Sequence, residues 1–199
     1  MSSDAALAEA KEAHDALCRL VDGQELPATL RGRLAAGCFW IALDLHAAII
    51  LLIERGMIAS AFVLSRPIWE ALIRGLWLSE CADGEALLRF KDDKDSLKPW
   101  PMIQALEQKD AFDSRVLSKV HEADKQRLNT TTHIGGPLAV RCNSGEAIEN
   151  NFDPAEITEC LNNANAIAGL AALGIARLSD NGEMAERLLD LSKSWSSQA

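Results

Sequence analysis

Two-thirds of the way along the chain, Arg127-Leu-Asn129-Thr-Thr-Thr-His133-Ile-Gly-Gly gathers residue types that move protons and grip phosphates. Histidine titrates near neutrality (~6.5), so His133 can take up or release a proton at physiological pH. Arg127 lies six residues earlier, close enough at a fraying helix end to converge on the same point, and a guanidinium can hold a phosphate while charge develops on it. Asn129 and the threonines add hydrogen-bond groups; threonines also compete with the helix for backbone bonds, and the two glycines let the chain turn back. This set suits metal-free cleavage of a phosphodiester, with His133 as general acid or base, Arg127 as phosphate clamp and Asn129 as an orienting group. A polar helix terminus with a capping histidine has the same composition, and spacing alone does not separate the two readings.

A second constellation runs Ser65-Arg66-Pro67-Ile68-Trp69-Glu70 and on to Arg74 and Trp77. Arg66, Glu70 and Arg74 fall at i, i+4 and i+8 and therefore share one helix face. Their surroundings are apolar, AFVL before and ALI and GLWL after, so the ladder is expected to be at least half buried. It is either an ion pair that fixes helix register or the wall of a polar pocket in which arginine clamps an anion bidentately.

Other polar residues read as structural. His46 and Asp44 are two apart and point to different faces, so His46 is expected to be a satisfied core histidine. Asn162 and Asn165 share a face and are expected to bond across to a neighbouring helix. The five cysteines, at 18, 38, 81, 142 and 160, are scattered and never form C-x-x-C, which argues against a disulfide framework or a zinc site and for reduced thiols in a cytoplasmic protein. No H-E-x-x-H, G-x-S-x-G, G-x-x-x-x-G-K-[ST] or G-x-G-x-x-G occurs, nor a Glu-x-x-His pair; no metal or cofactor is implied.

The elements that must position these groups are helices. Residues 4–22 run from a Ser3/Asp4 N-cap to a stop at Gly23. A second helix starts with Pro27 at its first position and ends at Arg55 before Gly56. Met57–Ala82 is a third apolar stretch, which Pro67 either kinks or divides. Gly84 opens a shorter amphipathic piece. A short helix covers 102–110 and another runs from Asp113 to about Leu128; residues 138–152 read as loop with a short extended piece at Leu138–Cys142. Asp153-Pro154 caps a long helix to Leu178, and 183–195 forms the last. Between Leu161 and Ala176 the long helix is rich in Ala and Gly, which suits the centre of a bundle or a dimer seam. Period-2 alternation is nearly absent, so the expectation is an all-α bundle of about six to eight helices, a single domain over 1–199.

Nearly half the residues are apolar and a quarter charged, a globular balance that excludes disorder. The net charge of −9 opposes a broad nucleic-acid-binding face. Residues 142–199 carry nine acidic groups against three basic, whereas 113–141 carry five basic against three acidic, so positive charge gathers around the Arg127–His133 stretch. The N-terminal segment reads as an acidic amphipathic helix rather than a signal peptide. Ala35–Ile53 is long enough to span a bilayer, but Asp44 and His46 lie near its middle, where a charge costs ~2.5–3.5 kcal/mol. It is read as the bundle's central core helix, with no membrane partner.

Arg127–His133 resembles the R-x(4–6)-H signature of the HEPN superfamily, helical-bundle domains that include many bacterial toxin and phage-defence ribonucleases. A polar residue often follows the arginine closely there; here Leu128 intervenes before Asn129. The chain also resembles bacterial all-helical proteins without assigned function, through Leu64-Ser-Arg66-Pro-x-x-Glu70, a following aromatic and His133-Ile-Gly135. That likeness covers roughly residues 30–180 and implies a fold but no activity. The HEPN resemblance implies a metal-independent ribonuclease that acts on RNA as a homodimer, with an antitoxin or other protein as partner. The alternative is a non-catalytic module binding a small anionic ligand or a protein partner through Arg66, Glu70 and Arg74, or through the small-residue helix. A HEPN fold that keeps only the scaffold is a third.

Overall fold

Apolar residues recur on every side of the stretch from Leu30 to Glu54, and a helix that is apolar all round belongs in a core. In the computed structural model, which describes residues 2–94, 98–112, 114–123 and 135–196 (side chains through 193), that stretch is the central helix α2 (Leu30–Glu54). Before it stands α1 (Ser3–Val21), and after it α3 (Ile58–Glu80), α4 (Gly84–Lys91), α5 (Pro99–Leu106), a helical turn at Asp110–Phe112 and α6 over 116–123. The short α7 (Gly136–Val140), the long α8 (Pro154–Leu178) and α9 (Gly182–Ser196) complete an all-α bundle. Among the described residues no strand occurs.

α2 and α3 are joined by a tight turn and pack along their length, so they run antiparallel. α8 lies against α1, α2, α3 and α9, the central place its small residues suit. The reason is visible at Phe39, which is fully buried. A Cβ placed on Gly75 of α3 or Gly174 of α8 would come within 2.5 and 2.4 Å of its ring. Both glycines exist to admit that ring. α2 is also the one described helix long and apolar enough to cross a membrane, and half of its most apolar window is buried within the bundle.

Several boundaries move. α2 begins at Leu30 rather than Pro27, because the Thr29 side chain accepts from Gly32 N at 3.1 Å and supplies the cap. From that first turn Arg31 reaches the open end of α3, donating to Leu78 O at 2.7 Å and Ala82 O at 2.5 Å, which satisfies carbonyls a helix leaves unpaired. α3 passes through Pro67 without dividing; packing against α2, α5 and α8 on both sides of the proline holds it together. α5 starts at Pro99, a favoured first helical position, rather than at 102. The expected extended piece at Leu138–Cys142 is instead the last three residues of α7 and the turn after it, and the first turn of α7 also takes a proline. Asp153 caps α8 with a full capping box to Glu156.

Candidate functional site

Between α2 and α3 lies an open groove of about 670 Å³, the size of a small-molecule site. Its α3 wall carries the ladder. Arg66 Nε donates to Glu70 Oε1 and Arg74 Nη1 to Glu70 Oε2, each at 2.7 Å. The three side chains pair with one another and line the groove. Burial pushes the Glu70 carboxyl up, but the hydrogen bonds from Arg66 and Arg74 outweigh it and hold Glu70 below the usual glutamate range.

The α2 wall presents Arg33, Gly37, Ile41 and Leu45, four residues at strict i+4 spacing and so in one line. The Arg33 side chain is exposed and makes no hydrogen bond or ion pair among the described residues. Gly37 is exposed in mid-helix, and a Cβ there would meet nothing within 4 Å. A mid-helix glycine costs ~1 kcal/mol relative to alanine, and no packing requires this one. Cys38 lies beside this line; burial raises its thiol to about 11, with Arg74 pulling the other way, so it is a neutral part of the lining. Phe90 of α4 completes the set. Arg33, Gly37 and Phe90 escaped the sequence reading because only the docking of α2, α3 and α4 brings them to the ladder.

A second polar cluster crosses the core. His46 is fully buried and its Nε2–H donates to Asn165 Oδ1 at 2.7 Å. Its Nδ1 must then accept, and His14 Nδ1–H supplies the proton at 3.3 Å. That leaves His14 Nε2 as an acceptor for the Cys18 thiol at 3.4 Å. Each of these three contacts thus pairs one donor with one acceptor. Burial, with help from His14 and against the Asn165 bond, lowers His46 to about 4. Burial and the charges of Asp15 and Asp44 raise the Cys18 thiol, against Arg19, so burial favours the uncharged forms of both His46 and Cys18. The satisfied core histidine is therefore confirmed with Asn165 as its partner. Asn162, expected on the same face, is exposed instead. All five cysteines are thiols, and no group of three metal-binding side chains occurs among the described residues.

Arg127, Asn129 and His133 lie outside the described residues. What leads into them is α6, where Ser118 and Lys119, with Arg115 just before the helix, line a polar groove with Trp100, Gln104 and Glu107. Residues 39–199 match the family of unknown function DUF6988. The chain belongs to that family. No curated protein and no solved structure matches it. The DUF6988 match takes in the Arg66–Glu70–Arg74 ladder, Ile41, Leu45, His46 and Asn165, and it begins after Arg33, Gly37 and the whole of α1.

Proposed function

We propose that this chain is a non-catalytic binding module whose α2–α3 groove takes a small anionic ligand. One observation carries the reading: among the described residues that line the groove, Arg33 and Arg74 stand beside the Arg66–Glu70 pair with Glu70 as the one carboxylate, in a chain whose net charge is −9. Arginine's planar fork suits carboxylate and phosphate groups. Glu70 uses one nitrogen of Arg74 and leaves the rest of that guanidinium to a ligand, while fixing its position in advance, which lowers the ordering cost of binding. The test is calorimetric titration of a panel of carboxylates and phosphate esters into wild type and Arg74→Met. Binding should weaken by at least about ten-fold in the variant, in line with ~1.5–3 kcal/mol for a hydrogen bond to a charged group. Equal affinity in both proteins would remove the groove from consideration.

A second reading keeps Arg127, Asn129 and His133 as a metal-independent ribonuclease centre of a homodimer. It is favoured by the surface leading to them, where Trp100 stacks on His121 with ring centroids 5.6 Å apart and Arg115 and Lys119 stand in the adjoining groove. Aromatic faces and cations together suit single-stranded RNA, although Glu107 and Glu122 share that groove. Mixed cellular RNA incubated without divalent metal should be cut by wild type and spared by His133→Ala and Arg127→Ala. Cleavage that survives both substitutions removes this reading.

A further inference from the structure

The groove is far larger than an inorganic anion needs, and its two walls differ in chemistry. On α3 the charged side chains Arg66, Glu70 and Arg74 follow one another at i+4. On α2 a single charge, Arg33, is followed along the same line by Gly37, Ile41 and Leu45, a row that spans ~18 Å of helix. Because α2 and α3 are antiparallel, Arg33 stands towards the C-terminal end of α3, the end that holds Arg74, and the Arg74 charge is felt at neighbouring Cys38. Phe90 lies against the groove too. Positive charge that Glu70 does not neutralise is therefore gathered towards one end, and an apolar strip leads away from it.

Gly37 interrupts that strip where a side chain would stand in the groove. The fold does not need it to be glycine, since a Cβ there touches nothing. Ile41, the next residue in the row, is half exposed, with 51% of its surface open. Burying such surface is favourable, and a ligand lying over Gly37 would do so.

Resting on the anion-binding reading above, we infer that the groove's ligand is an amphipathic anion, a carboxylate or phosphate group on an elongated apolar body, with its charge between Arg33 and Arg74 and its apolar part along Gly37, Ile41 and Leu45. The same chemistry is offered by a free aliphatic acid and by an anionic lipid in a bilayer.

The experiment uses the full chain and three probes: acetate, dodecanoate below its micelle concentration, and vesicles of phosphatidylglycerol. It compares wild type with Gly37→Ala, Gly37→Leu, Arg33→Met and Arg74→Met, with circular dichroism and melting temperature as fold controls. Dodecanoate should bind at least ten-fold tighter than acetate. Gly37→Leu should lose at least ten-fold of that affinity and Gly37→Ala should keep it, while both retain the wild-type melting temperature to within a few degrees. Vesicle binding with the same pattern of variants supports the same chemistry with a bilayer source. Acetate binding as tightly as dodecanoate, and weakened by Arg74→Met, leaves the anion reading standing and overturns the amphiphile. Dodecanoate binding that ignores both arginine substitutions, or no binding by any probe, overturns both.

Discussion

The two polar clusters of this bundle both use α2, and they obey opposite rules. In the groove Arg66, Glu70 and Arg74 are charged, half buried and in reach of water, and Arg33 adds a cation that no described residue neutralises. In the core His46 and Cys18 are held in their uncharged forms by burial, and three contacts join them to His14 and Asn165. A charge at the His46 position would lack solvent, and burial depresses its protonation accordingly. The groove keeps donors in reach of solvent, whereas the core contacts lie between α1, α2 and α8. On the proposed reading the core cluster serves stability and the groove serves binding, and each can be perturbed alone.

The largest expected effect is on the acid limb of stability. His46 is lowered from 6.5 to about 4 by folding, so the unfolded chain binds its proton first. Its contribution is present above pH ~6.5 and is lost as pH falls towards 4, an amount of roughly 3 kcal/mol over that window. Glu70, also lowered, keeps its contribution to still lower pH, losing it only as pH falls below the ordinary glutamate range. Urea midpoints measured from pH 8 down to 4 should thus fall for wild type and fall less for His46→Leu between pH 6.5 and 5. Parallel curves for the two proteins would mean that His46 does not titrate as its burial requires.

Next in size is Asn165→Leu, which leaves the His46 Nε2–H buried without its acceptor. A loss of ~1–3 kcal/mol follows, or several degrees in melting temperature for a domain of this size. Binding of an anion in the groove should not change. If affinity fell with stability, the two clusters would be coupled through α2 and the division between them would fail.

What could be read beforehand follows the same divide between local and tertiary causes. The Asp153-Pro154 start of α8 is set by residues adjacent in sequence, as are the i+4 ladder on α3 and the all-round apolar character of α2, and each was legible. Pro67 left two outcomes open because its cost is local while the packing that carries α3 through it is not. Asn162 and Asn165 looked equivalent by spacing, and only the position of α2 decides that Asn165 meets His46. His14 and Cys18, at i and i+4, could have been paired on α1, but nothing in the spacing says that His46 completes the series. Arg33 and Gly37 carried no local signal of a site at all.

The smallest effect on stability, and the one that tests the groove most closely, is Glu70→Gln. Glu70 accepts from Arg66 and Arg74 on a helix surface, and half-exposed i,i+4 pairs contribute ~1 kcal/mol or less. The melting temperature should therefore move by no more than a few degrees, and high salt should shrink the difference. Binding is governed by two opposed consequences. Removing the carboxylate raises the positive charge that attracts an anion, yet it also frees Arg74 to leave the position from which it can form a bidentate contact. A carboxylate needs that geometry, whereas a diffuse attraction does not. The substitution should then speed association at low salt while also speeding dissociation, so that stopped-flow rates change more than the equilibrium constant does. Faster association with unchanged dissociation would show that Glu70 merely offsets charge, and that Arg33 and Arg74 hold the ligand without its help.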